Sequence, residues 1–586
     1  KLTDFFSAAP DRLKESLLRR MRWLDTSVEA KTFARILLDA DNMGNLATLN
    51  TDFGAQCVGR LVHVDPDLVM ATIQRVFGDL TTGDLQGIDA GRRHLVWALE
   101  KLAFRKESFE DAATLLRRLA ASETENNISN NATGQFKQLY QLYLSGTEAS
   151  PELRLLILDD GLQSANAKER EVCIEALDTM LDTWHFSRSG GAEEIGSGMR
   201  LEDWEPETDD EIWYFFRAAV KRLMDIAINS DAFAPRAKQI LGAHIRGLIN
   251  TLPLEEIKEM ISSIVSRYGF WIEAVQKINE WLYFDRREAP QEIRQAVRDY
   301  FNELLPSDPI ELVVLYTHGW QADFHDPDVD YAQEERSRVD HEYTVRKAIE
   351  LADVIAADPA TTDRVIERLA TSDAKTIFPF ARRLAELAPD VLKLFEVALA
   401  KIGQREEEAN LGFFGGLIAG ADNRDPKAAR ECVRLALRSE KLKQNAISLI
   451  GSGQLQSSDI QLVISLLQSR DAEPWQCAAL SYGRGMDHLA VEDIVQLLEE
   501  LALHGVEGLW TVLGITTMIL LGDKELSEPL ILVLRKVLVD PDLFEKVRST
   551  MDGHHLESMI QFLARRNLID RKFAHLLVKQ LLSICA

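Results

Sequence analysis

Asp326, Asp328 and Asp330 stand at alternate positions with His318 and His325 close by. Hard carboxylate oxygens in that spacing converge on a divalent cation when the loop folds around it. Measured as a calcium loop the run fails, because Tyr331 occupies the turn position that needs Gly and Ser337 the position of the bidentate Glu. A solvated acidic loop is the reading that remains, and no metal is expected. His554 and His555 are adjacent, so on a helix their imidazoles point about 100° apart and do not readily share one ion. Asn126, Asn127, Asn130 and Asn131 precede Ala132-Thr133-Gly134. Their amides would bond a ligand or cap a helix, and capping is what Asn does cheaply between helices. Trp204, Trp213, Tyr214, Phe215 and Phe216 form an acid-flanked aromatic group of the kind that anchors protein partners. A helix starting at about Asp210 takes most of them into the core and leaves Trp204 in a loop. Trp320, Phe324 and Tyr331 lie in a second acidic loop and, with Trp204, are the expected partner-binding residues.

Motifs that announce an enzyme are missing from these residues. There is no G-x-x-x-x-G-K-[ST] loop and no strand leading into G-x-G-x-x-G. Ser189–Gly198 has glycines but no Lys and no preceding strand. H-E-x-x-H, G-x-S-x-G and protein-kinase signatures are absent as well. No catalytic or cofactor-binding residue is assigned, and no cofactor is expected. The 586 residues carry 67 Lys+Arg against 93 Asp+Glu, a net charge of −26 that repels a phosphate backbone and argues against general nucleic-acid binding. Acid-rich stretches such as Glu406–Glu408 and Leu201–Glu211 serve solubility first and a basic partner second. Cys57, Cys173, Cys432, Cys477 and Cys585 are scattered with no C-x-x-C pair, which reads as reduced, mostly buried thiols in a cytoplasmic protein. The first twenty residues lack an apolar core followed by a cleavage site. No run supplies the roughly 20 apolar residues of a membrane span. The longest, near Leu509–Leu521, is broken by Thr511, Gly514, Thr516 and Thr517 and reads as a buried helix.

The elements that would hold these groups are helices. Apolar residues make up 46% of the chain and recur at helical spacing almost everywhere. Phe109, Ala112, Ala113, Leu116, Leu119 and Ala120 form one stripe over Ser108–Ala121, with Ser108 as its expected cap. Val491, Ile494, Val495, Leu498, Leu501 and Ala502 form another over Ala490–His504, where Gly505 offers a left-handed stop before a further helix. Pro or Gly punctuates the pattern down the chain, giving roughly twenty-five to thirty helices and paired units of about 35–45 residues. The expected fold is all-α, a right-handed HEAT/armadillo-like α-solenoid of antiparallel helix pairs. Its expected divisions are helical repeats over 1–184, a flexible acidic insertion at 185–210, repeats over 211–317, an acidic and aromatic insertion at 318–338, and repeats over 339–586. Both insertions are expected to project from one rim, because long loops in a helical array are functional or disordered.

Asn126–Arg154 (NNISNNATGQFKQLYQLYLSGTEASPELR) and Tyr482–Leu498 (YGRGMDHLAVEDIVQLL) resemble segments in the helical C-terminal halves of large bacterial anti-phage defence proteins of the STAND class of signalling NTPases. The resemblance implies that the repeats sense a phage component or hold the protein inactive. It also implies that an NTPase core and an effector, a sirtuin-like NADase or a nuclease, lie outside these residues. The chain departs from the complete family in lacking every nucleotide-binding motif, so no active-site residue carries over. It begins with Lys1 rather than Met, as a piece of a longer polypeptide would. The expected function is therefore a non-catalytic recognition or sensor scaffold with a protein partner and no membrane. Two rivals stand beside it: an enzyme whose carboxylates converge only in the fold, marked by a pocket of groups with shifted pKa values, and a structural self-assembly module.

Overall fold

The computed structural model describes residues 2–584 apart from 189, 199, 231, 288, 321–322, 330–341, 521–525 and 545–549. Helix follows helix from Leu2–Ala8 to Arg571–Ile584, with no strand among the described residues. The fold is all-α.

Local chemistry explains where the helices begin. Asp65, Asp308, Asp358 and Asp425 each precede a Pro at the first helical position and accept backbone N–H groups of the first turn. Proline there loses no hydrogen bond, and the carboxylate satisfies donors that have no partner inside the helix. Helix Phe109–Ala121 buries the whole expected stripe. Ser108 does not cap it: its hydroxyl donates to the Leu102 carbonyl at 2.6 Å. Helix Val491–Ala502 buries Ile494, Leu497, Leu498 and Leu501, and Gly505 at φ 65° opens the next helix, Gly505–Leu520.

The chain divides into two compact units, Lys1–Phe301 and Asn302–Ala586. In the first, Asp52–Leu61 packs on Arg92–Phe104, which packs on Phe109–Ala121, which in turn meets Ala167–Met180. Asp209–Asn229, Ala234–Ile249 and Ile272–Phe284 then pack in succession. Buried arginines tie these layers. Arg92 donates to the carbonyls of Leu85, Leu119 and Ser122 at 2.9, 2.7 and 2.9 Å and pairs with Glu123 at 3.3 Å. Arg117 reaches Ile157, Asp160 and Glu169 in the same way. Full burial of such a charge is tolerable only because each N–H has a partner.

In the second unit, Tyr343–Ala356 packs on Phe378–Leu387, and that helix packs on Leu411–Arg424. A companion row runs Pro309–His318, Pro359–Leu369, Val391–Gly403 and Pro426–Arg438. One apolar cluster extends from Ile310 to Leu577. Phe378–Leu387 and Leu411–Arg424 approach so closely that a Cβ on Gly416 would meet the Phe378 carbonyl at 2.5 Å and the Ala381 methyl at 2.7 Å. Gly420, one turn on, faces Arg382 and Ala385 in the same manner.

Candidate functional site

The expected recognition residues are not gathered in one place. Trp204 belongs to the first unit, and Trp320 and Phe324 to the second. Trp320 is 65% exposed just after helix Pro309–His318, with its backbone N–H bonded to Asp323. Phe324, only 2% exposed, is withdrawn from any partner. Its ring stands edge-on to Tyr316 at 5.4 Å and stacks over Tyr343 at 6.3 Å, so aromatic packing claims a residue expected on the surface. Tyr331 lies outside the described residues, as does Asp330. Asp326 pairs with Arg346 at 3.3 Å and accepts the Asp328 N–H at 3.0 Å, so it closes its own turn. Asn131 caps helix Ala132–Gln138 by accepting the Gly134 N–H at 2.8 Å. Phe215 and Phe216 are core residues of Asp209–Asn229, while Tyr214 stays exposed.

Trp204 is half-buried, and the reason is the segment that carries it. Where the sequence suggests a projecting insertion, the described residues of 190–198 and 200–208 include several bonded back onto the first unit, among them Gly191, Glu194, Ser197 and Trp204. The Trp204 N–H donates to the Thr147 carbonyl at 2.8 Å, and the indole faces the buried Arg154 guanidinium at 5.4 Å. Asp203 accepts the Gly146 N–H at 2.7 Å and pairs with Arg188 at 3.2 Å. Glu193 is buried between Arg188 and Arg200.

The same strap roofs a cavity of about 300 Å³ that sequence reasoning missed. Its walls are two facing helices. Asp52–Leu61 and the turn after it present Gln56, Gly59, Arg60 and His63, and Arg92–Phe104 presents His94, Trp97, Ala98 and Lys101. Each set repeats at i, i+3, i+4 and i+7, one face of a helix. Small residues, Gly59 and Ala98, stand at the middle of both faces and leave the space open. Arg22 enters from the turn Arg22–Leu24, and Gly191 and Glu194 close the top.

Several bonds hold the strap down. Lys101 donates to the Gly191 carbonyl at 3.2 Å, Arg22 pairs with Glu194 at 3.4 Å, and the Gly196 N–H reaches His63 Nδ1 at 3.4 Å. Ser197 donates to Asp25. Gly196 sits at φ 68° with its α-carbon against the Asp25 carboxylate, where a Cβ would come within 2.7 Å, so both backbone and space call for glycine.

The electrostatics of the cavity are those of gathered positive charge. Burial, reinforced by Lys101, Arg22 and Arg60, pushes His63 down to about 4, so its imidazole is neutral at pH 7 and accepts the Gly196 N–H. Burial also lowers the Lys101 ammonium from its ordinary value, with Glu100 opposing. Glu100 itself is raised to about 7 by burial, against the pull of Lys101 and Arg188. Three polar atoms of the lining are buried without a partner: Arg22 Nε, Trp97 Nε1 and Gln56 Oε1.

Comparison of the sequence with protein families and with curated proteins finds no match. Among the described residues no group of three or more His, Cys, Asp or Glu is placed to hold a metal ion, and no helix is long and apolar enough to cross a membrane.

Proposed function

We propose that the chain is a recognition scaffold built from HEAT-like α-solenoid repeats, the sensing region of a cytoplasmic bacterial anti-phage defence protein whose chemistry resides in other parts of the polypeptide. The observation that carries the repeat reading is the spacing of side-chain bonds between helices. In the first unit Arg105–Asp67, Lys137–Glu175, Arg217–Glu256 and Arg246–Asp285 join residues 38, 38, 39 and 39 apart. In the second, Lys401–Glu367, Asn423–Glu386, Ser457–Asp493 and Arg535–Asp570 join residues 34, 37, 36 and 35 apart. An interval of 34–39 residues recurs in both units, beside longer ties such as Arg222–Asp159 across 63, and it is the interval that stacked helix pairs of about 33–47 residues would give. A stack of this kind offers extended surface, and Trp320, held exposed at a helix end, is the anchor we assign to it.

The test is affinity capture on the chain and on Trp320→Ala from phage-infected and uninfected bacterial cells, followed by reconstitution with the purified partner. We expect a protein recovered from infected cells alone, bound at least tenfold more weakly by the variant. Identical recoveries from both cell states would remove the sensing role.

One observation favours a second reading, an enzyme: His63 and Lys101, both displaced from their ordinary ionisation, share one cavity. It predicts turnover of a ligand bound there, which mass analysis of the ligand after incubation with the chain would detect.

A further inference from the structure

We infer that the roofed cavity between helices Asp52–Leu61 and Arg92–Phe104 binds a small phosphoryl-bearing anion, held by Arg22, Arg60 and Lys101 beneath the strap at Gly191–Gly196. This does not rest on the scaffold reading.

The composition makes the site conspicuous. In a chain of net charge −26, two guanidinium groups and an ammonium from three separate elements line one space of about 300 Å³. Glu194 is the carboxylate of that lining; it pairs with Arg22 at 3.4 Å and also acts on Lys101, one negative charge against three cations. Asp52, at the rim, is taken by His94 at 3.2 Å, and Asp25 by Ser197. Among the described residues Arg60 has no side-chain partner, while Lys101 donates to the Gly191 carbonyl and feels the Glu100 and Glu194 carboxylates. Arg22 and Lys101 are partly withdrawn from water and Arg60 stays exposed beside them; gathering three cations around one space sets like charges together, a cost that an anion relieves.

Hydrogen-bond accounting agrees. Arg22 Nε and Trp97 Nε1 are buried N–H donors with nothing to bond. The Gln56 amide, whose oxygen also lacks a partner, presents its NH₂ instead after a flip of the terminal torsion. Water would satisfy a donor but brings no charge. A lone carboxylate fills one guanidinium fork and leaves the other cations facing one another. A phosphoryl group, with three or more acceptor oxygens and about two negative charges, matches cations arriving from several directions. The volume lies at the lower end of the roughly 300–1,000 Å³ typical of small-molecule sites, which suits a compact ligand. Burial first, and then the charges of Lys101, Arg22 and Arg60, keep His63 neutral, so it adds no further positive charge to the space.

The experiment titrates the full chain with inorganic pyrophosphate at constant ionic strength, by calorimetry and by the fluorescence of the tryptophans. Citrate is the carboxylate comparison and sulfate the comparison for non-specific ions. Arg60→Gln and Lys101→Met are the variants; Arg60 is exposed at its helix end, so its loss leaves the fold intact. We expect saturable one-to-one binding of pyrophosphate, at least tenfold tighter than citrate or sulfate and weakened at least tenfold in each variant, with unchanged helical circular dichroism in Arg60→Gln. No saturable binding, equal binding of citrate, or unchanged affinity in Arg60→Gln would overturn the assignment.

Discussion

Alanine at Gly416 decides whether the close approach of Phe378–Leu387 and Leu411–Arg424 is a structural requirement. In an exposed helix interior Gly→Ala stabilises by roughly 0.5–1 kcal/mol, through propensity and the entropy of the unfolded chain. At Gly416 the new methyl would lie 2.5 Å from the Phe378 carbonyl oxygen, 2.7 Å from the Ala381 methyl and 3.0 Å from the Arg382 nitrogen. The carbonyl and the nitrogen are backbone, so no rotamer change relieves them. Restoring an ordinary contact of about 3.4 Å separates the helices by roughly 0.9 Å, and a gap of that size forfeits a quarter to a half of the dispersion energy across it. Overpacking of this sort costs about 1–3 kcal/mol, which outweighs the propensity gain. We expect Gly416→Ala to destabilise its surroundings by about 2 kcal/mol, a roughly thirtyfold rise in amide exchange along Leu411–Arg424. Gly553, exposed in helix Thr550–Arg565 with nothing within 4 Å of an added methyl, is the internal control and its Ala variant should be neutral or stabilising. Exchange is the appropriate readout, because an array of helix pairs unfolds piecewise and a single melting temperature averages over it. If Gly416→Ala behaved like Gly553→Ala, the packing reasoning would be wrong.

Arg92→Met should lower stability by about 3–5 kcal/mol, since it strands three buried carbonyls and removes the counter-charge of Glu123; Arg92→Lys should recover little, because one ammonium cannot span the three carbonyls, and urea unfolding of both variants checks this. Glu100 and His63 predict opposed pH slopes. Glu100, raised from 4.5 to about 7, contributes most below pH 4.5 and its contribution is lost as pH rises through 7. His63, lowered from 6.5 to about 4, contributes fully above pH 6.5 and its contribution is lost as pH falls through 4. The two nearly cancel between pH 4.5 and 6.5, so as pH rises across that window Glu100→Gln should gain up to roughly 3 kcal/mol relative to the unsubstituted protein and His63→Gln should lose about as much, and denaturation curves parallel to the parent's would contradict it.

Helices are legible because their signal is local. The stripe of Phe109–Ala121 and the stop at Gly505 depend on spacings of three and four residues and one left-handed glycine, all visible in a dozen letters. Phe324 reads wrongly as a surface residue because its partners, Tyr316 and Tyr343, lie on either side of a long acidic stretch whose composition speaks for solvent. The strap misleads for a related reason. Its glycines, serines and acids are loop chemistry, yet Glu193, Glu194, Ser197 and Asp203 each find a partner within the strap or in the segment Arg22–Asp25. The cavity has a signal of its own: Gln56, Arg60 and His63, and His94, Trp97 and Lys101, are polar or amphipathic stripes on helices whose other faces are apolar. A search for apolar periodicity passes over such stripes as solvent faces, and only the packing of one helix on the other turns them inward.

The spacing of contacts also separates the strap from the rest of its unit. Bonds such as Arg105–Asp67 and Arg217–Glu256 span 38 and 39 residues, and in the repeat array we propose a disturbance in one helix pair would reach its neighbour and fade. The strap joins Arg22 to Glu194 and Asp25 to Ser197 across 172 residues, and His63 to Gly196 across 133. Those ties close only after the intervening helices have stacked, and each carries the larger loop-closure entropy of a distant contact. They are few and weak by themselves: two ion-pair or hydrogen-bond contacts of 3.4 Å and one exposed hydroxyl. An anion beneath the strap would add charge to the same junction and stabilise closure by the logarithm of its concentration over its dissociation constant. Occupancy of the cavity would thereby set how firmly the N-terminal helices are joined to the segment that carries Trp204, a coupling between distant parts of the chain that neighbour-to-neighbour stacking does not supply.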